Sequence, residues 1–116
     1  MHKLIICAAL FVATISSASS LDAKGLFTSE EQAEMWCLAQ NIYYEARGSN
    51  RADRVAVADV VLNRVEDTRY PNTICEVVKQ GKQKPSWKDP TVMVMVRNAC
   101  QFSWYCDGKA DDPKDL

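Results

Sequence analysis

Glu45 is the residue whose surroundings best fit a chemical task. Leu38 and Ile42 precede it by seven and three positions, so a helix would run its carboxylate along their apolar stripe. It also falls just before Gly48, a helix stop, where the negative end of the helix dipole opposes an ionised carboxylate. Burial and dipole together favour the protonated acid, and Tyr43 and Tyr44 offer a partly apolar wall. A carboxyl group held protonated suits donation to a glycosidic oxygen. Spacing alone equally allows an ordinary surface ion pair of Glu45 with Arg47 or Arg51.

Histidine narrows the chemistry. The sequence has one, His2, in a segment expected to be removed. A mature chain without it builds no Ser-His-Asp triad, no Cys-His peptidase site and no His-ligated zinc hydrolase. Carboxylate acid/base work, as in glycoside cleavage, is what remains. A binding module would lack histidine as well. Lys plus Arg number 14 against 15 Asp plus Glu, without the basic excess of a nucleic-acid binder.

The N-terminus reads as a secretory signal. His2 and Lys3 precede an apolar run from Leu4 to Ile15, and small residues follow from Ser16 to Ser20. The run is short of the ~20 residues that span a bilayer, so no stable anchor is expected after cleavage. Cys7 lies inside the apolar run and is not a lipidation site. Mature protein should begin near Leu21, secreted to the periplasm or the exterior. Removing Cys7 leaves Cys37, Cys75, Cys100 and Cys106. An even set in a small exported domain predicts two disulfides. Three connectivities are open; the closeness of Cys100 and Cys106 favours pairing those two and leaving Cys37 with Cys75. A four-cysteine zinc site competes weakly, since the set has no second close pair. No cofactor is implied.

These residues need elements to position them. With 116 residues and 47% hydrophobic composition, the chain suits one small domain. Residues 21–27 read as a flexible lead-in. Thr28 with Glu31 forms a capping-box pattern, opening a helix that runs to about Gly48, with Trp36 in its apolar band. A second helix follows Asn50 and ends near Glu66; Val55, Ala58, Val61, Leu62 and Val65 make it the expected most buried element. Asn72 is placed to cap a short third helix through Val78, stopped at Gly81. Lys82 to Pro90 reads as a basic loop around Trp87, Thr91 to Val96 as a strand, and Cys100 to Cys106 as a second strand or a turn. Residues 109–116 read as a flexible tail.

Four blocks carry a family resemblance. They are Cys37-Leu-Ala-Gln-Asn-Ile-Tyr-Tyr-Glu-Ala-Arg-Gly48; Val55 to Ala58 with Val60 to Val65; Tyr70-Pro-Asn-Thr-Ile-Cys75 with Val77 and Val78; and Cys100-Gln-Phe-Ser-Trp-Tyr-Cys-Asp-Gly108. Together they resemble the cell-wall hydrolases of the spore-cortex-lytic (SleB/CwlJ) type, in family order over nearly all of the mature chain. The resemblance implies cleavage of peptidoglycan between N-acetylmuramic acid and N-acetylglucosamine, by lytic transglycosylase chemistry in the cortex-lytic relatives. It places the catalytic glutamate on Glu45. It also implies a small α+β, lysozyme-like or transglycosylase-like domain over residues 28–108, mostly helical with a short hairpin.

Candidate substrate contacts are Tyr43, Tyr44, Arg47, Gln101, Ser103 and Trp104. Aromatic faces stack on sugar rings, while amides and hydroxyls hydrogen-bond N-acetyl groups. Phe102 and Trp36 are expected in the core, Asn63 and Arg64 as buttresses, and Asp53 and Asp59 on a solvated face. Two departures stand out: Ser49 replaces the acidic residue usual after the Arg-Gly, and relatives continue well beyond the last block. The partner is expected to be the glycan strand, met by a monomer. Competing expectations are a catalytically silent wall-binding or regulatory module and a disulfide-stabilised inhibitor.

Overall fold

A computed structural model describes residues 26–114. The expected signal segment, 1–20, and most of the lead-in lie outside the described residues. Helix α1, Ser29–Ala46, opens as its sequence predicts. Glu31 N donates to Thr28 Oγ1 at 3.2 Å, and Thr28 N donates to Glu31 Oε2 at 2.7 Å. The two bonds satisfy donors that a helix start leaves unpaired. Gly48, at φ 79°, turns the chain out of α1 in a region that favours glycine. Asn50 then caps α2, Arg51–Glu66, by accepting from Asp53 N at 3.0 Å. The third helix, α3 (Ile74–Val78), is capped by Thr73 and not by Asn72, because the Thr73 hydroxyl is the group in reach of Glu76 N.

The strands fall only partly where expected. β1 is Gly81–Pro85, beginning one residue before the stretch read as a loop, and β2 is Met93–Cys100, which shares residues 93–96 with the expected strand and runs on past it. They pair antiparallel, with Pro85 opposite Met93 and Gly81 opposite Cys100. Lysine-rich β1 has weak strand propensity, so pairing with the Val/Met run makes it a strand. The register breaks between Gly81 and Gln83, and Asn98 takes a left-handed φ of 58° on the bulged partner. A Cβ on Gly81 would meet Cys100 Sγ at 2.8 Å, so this end of the hairpin closes only around glycine. Ser103–Cys106 is a 3-10 turn and not a strand.

Val61, Val77, Val78, Phe102 and Trp104 form the buried core, with Leu38, Tyr44, Val65 and Tyr70 against it. Phe102 is in the core as expected; Trp36, 49% exposed, is not. Nor is α2 the most buried element. Val61 is its buried residue, while Val55, Val60 and Leu62 stay exposed. One side of α2 meets α1 and α3, and among the described residues nothing covers the other. Cys37–Cys75 ties α1 to α3 with Cα atoms 5.2 Å apart. Cys100–Cys106 closes the turn that carries Trp104. The paired cysteines displace the zinc alternative, and among the described residues no group of His, Cys, Asp and Glu is arranged for a metal ion. The described residues thus form a small mixed fold of helices and one two-stranded sheet, held by two disulfides.

Candidate functional site

The C-terminal half of α1 passes over the core on a polar contact. Asn41, with no exposed surface, accepts from Trp104 Nε1 at 2.9 Å. One turn on, Tyr44 stacks on the Trp104 ring, with centroids 4.6 Å apart and planes 18° off parallel. Tyr43 meets Tyr44 edge-on at 5.0 Å. Glu34, near the start of the same helix, caps α3 from outside: Ile74 N donates to its carboxylate at 2.5 Å and Cys75 N at 3.3 Å. That bond and the Cys37–Cys75 bridge fix α1 against α3 at one junction.

Glu45 is exposed, which corrects the expectation of a buried carboxylate. It shares the helix side of Asn41 and Leu38, yet it stays exposed while Asn41 before it and Ala46 after it are buried. Its chain neighbours line two different cavities. Tyr44 shares one of about 390 Å³ with Ser103, Trp104, Asp107, Lys109 and Asp111. Ala46 lines another of about 390 Å³ with Tyr43, Arg47, Gly48 and Arg54. Glu45 lines neither, though it falls in sequence between Tyr44 of the one and Ala46 of the other.

The structure therefore brings Tyr44, Ser103 and Trp104 together, and Tyr43 with Arg47, whose guanidinium lies 4.8 Å from the Tyr43 centroid. Trp104 is buried with one face already against Tyr44. Gln101 stays apart, exposed beyond β2, where its N–H donates to Gln80 O at 2.9 Å. Asp53 and Asp59 are exposed on α2, as expected for a solvated face. Asn63 is exposed and buttresses nothing buried. Arg64 does buttress, its guanidinium 5.2 Å from the Tyr70 ring and 5.5 Å from Phe102.

Sequence reasoning passed over Asp107 and Asp111. Burial, then the neighbouring Asp107, pushes the Asp111 carboxyl up. Burial first, then Asp111, pushes the Tyr44 phenol up as well. Nothing in the acidic tail marked these residues, since their role depends on the chain folding back over Tyr44. Asn41 and Glu34 were also missed. Asn41 did carry a signal, as a polar residue four positions after Cys37 and four before Glu45 inside an apolar band.

Two spore cortex-lytic enzymes of Bacillus cereus are each 40% identical to this chain over 47 residues. The alignment takes in 40% of this chain and 18% of each relative, so the shared part is a small fraction of those proteins. No solved structure matches. The family model described as cell wall hydrolase matches residues 48–115, beginning just past Glu45 and taking in α2, α3, the hairpin and the Trp104 turn. A match over more than half of the length, on the elements that hold the end of α1 in place, establishes that the chain belongs to the cell wall hydrolase family.

Proposed function

We propose that the protein cleaves peptidoglycan between N-acetylmuramic acid and N-acetylglucosamine, as a lytic transglycosylase with Glu45 as its single catalytic group. The observation that carries this reading is the presentation of Glu45: an exposed carboxyl on a helix end fixed by the Asn41–Trp104 bond and the Tyr44 stack. The helix-and-hairpin architecture supports a lysozyme-like domain spanning residues 28–108. Family membership and two disulfides support secretion into an oxidising compartment, with residues 1–20 as the signal. A monomer completes the reading.

Glu45 protonates the leaving oxygen while oxocarbenium character develops at the anomeric carbon of the muramic sugar. A sugar laid over Glu45 excludes the water that reaches this acid in the free protein. The muramic 6-hydroxyl then attacks that carbon and gives its proton to the Glu45 carboxylate, closing an anhydro ring. One carboxyl group serves both steps, so Asp53 and Asp59 are not called upon. Tyr43 and Arg47 in one cavity, and Tyr44, Ser103 and Trp104 in the other, serve as substrate contacts, together with Gln101.

A second reading, a catalytically silent wall-binding module, is favoured by Glu45 standing outside both cavities. Glu45→Gln separates the two. It should retain the fold and lose about 10²–10⁴-fold in release of anhydro-muropeptides from sacculi, the usual range for acid/base removal. Asp53→Asn and Asp59→Asn should lose little. Equal release by the parent and Glu45→Gln would refute the assignment, and no release by the parent would select the silent module.

A further inference from the structure

The hairpin tip turns a large aromatic outward. Trp87 is 87% exposed in the connection between β1 and β2, with Lys88 Nζ 5.3 Å from its ring centroid. Lys82 and Lys84 alternate along β1 and so share one face, and register sets Lys84 opposite exposed Val94. Gln83 and Met95, on the other face, line a cavity against α3. The lysine face is thus the one directed away from the body of the protein. Residues 81–100 hold four basic side chains, Lys82, Lys84, Lys88 and Arg97, against one acid, Asp89, in a chain of net charge −1. Asp89 is committed to the turn, accepting from Thr91 N at 3.0 Å and Thr91 Oγ1 at 2.7 Å.

We propose that this hairpin is an accessory wall-binding arm. Trp87 stacks on a sugar ring while Lys82, Lys84 and Lys88 meet carboxylates on the peptide side chains of the same glycan. The choice of partner rests on the peptidoglycan reading above. An outward aromatic flanked by cations suits a polymer that offers sugar faces and carboxylates together. Exposed Val92 and Met93 beside the tip would also suit a bilayer, but Ser86, Lys88, Asp89 and Thr91 interrupt that apolar set. The vesicle arm of the test separates the two partners.

Pelleting with purified sacculi tests the arm, using the full chain carrying Glu45→Gln so that the wall stays intact. Trp87→Ala should weaken binding about 3- to 10-fold, the range of a single aromatic contact, and Trp87→Tyr should restore most of it. Lys82→Glu with Lys84→Glu should weaken binding further and flatten its salt dependence. Melting temperatures should not move, since these side chains are exposed. In the Glu45-containing chain, Trp87→Ala should cleave short soluble glycan fragments at the parent rate. Unchanged sacculus binding by Trp87→Ala overturns the proposal, as does Trp87-dependent binding to anionic phospholipid vesicles without binding to sacculi. Loss of cleavage of short fragments overturns it too, by placing Trp87 in the catalytic cleft. Trp87-dependent sacculus binding by a chain that releases no muropeptide keeps the arm and removes only the catalytic reading.

Discussion

Asn41 and Trp104 form a buried polar pair directly beneath the helix end that carries Glu45. Asn41→Ala would strand the Trp104 N–H in a place water does not reach, and such an orphan costs about 1–3 kcal/mol. A lower melting temperature is expected, with the loss partly relieved in an Asn41→Ala/Trp104→Phe pair, where no donor is left unpaired. Additive losses in that double-mutant cycle would contradict the coupling. Asp67 gives a residue-level prediction about pH. Arg69, donating from its side chain and its backbone N–H, holds the Asp67 carboxyl down to about 2 from the usual 3.8. A depressed folded-state value means stability that is complete above 3.8 and is lost as pH falls towards 2. Asp67→Asn should therefore melt slightly lower than the parent at neutral pH, and the two curves should converge across that acid window. The effect is small because Arg69 is well exposed.

At the scale of elements, α1 and α3 meet at a junction made twice over. Glu34 caps the first turn of α3, and the Cys37–Cys75 bridge crosses the same contact. Glu34→Ala should cost about 0.5–2 kcal/mol, the range for losing a helix cap. With the bridge also removed, the combined loss should depart from the sum, because both constrain one pair of elements. Urea denaturation of the single and combined variants measures this. The helices were largely legible in the sequence: Thr28 with Glu31, Asn50 and Gly48 are local signals that act within a few residues of themselves. The strands were not. Residues Gly81–Pro85 become a strand by pairing with a partner, and nothing local to two lysines, a glutamine and a proline announces that partner.

At the scale of the whole molecule, few of the described residues are buried, with a core of three valines, Phe102 and Trp104. Disulfides matter more in such a fold than in one with a large core. Reductant should lower the melting temperature sharply, since losing a native bridge from a small domain costs about 2–5 kcal/mol. EDTA should change neither melting nor activity, because the four cysteines are committed to each other. Loss of activity with chelator, restored by zinc, would contradict the assignment. The exposed side of α2 is also a property at this scale. Its apolar spacing is helical, as read from the sequence, but amphipathic spacing states which residues share a face and not whether anything covers it.

By itself, the sequence determined where α1 and α2 start and stop, and which family blocks stand in order along the chain. Caps and glycine stops are local facts, so no tertiary contact is needed to read them. Tertiary structure alone decided that Glu45 stands exposed, that Trp104 lies under Tyr44, and that Asp107 and Asp111 reach the same cavity as Ser103. It also decided that Glu34 serves α3 forty residues away. A helical position fixes the direction of a side chain about the axis; burial depends on what other segments lay against that direction, and those contacts are set only when the chain closes on itself.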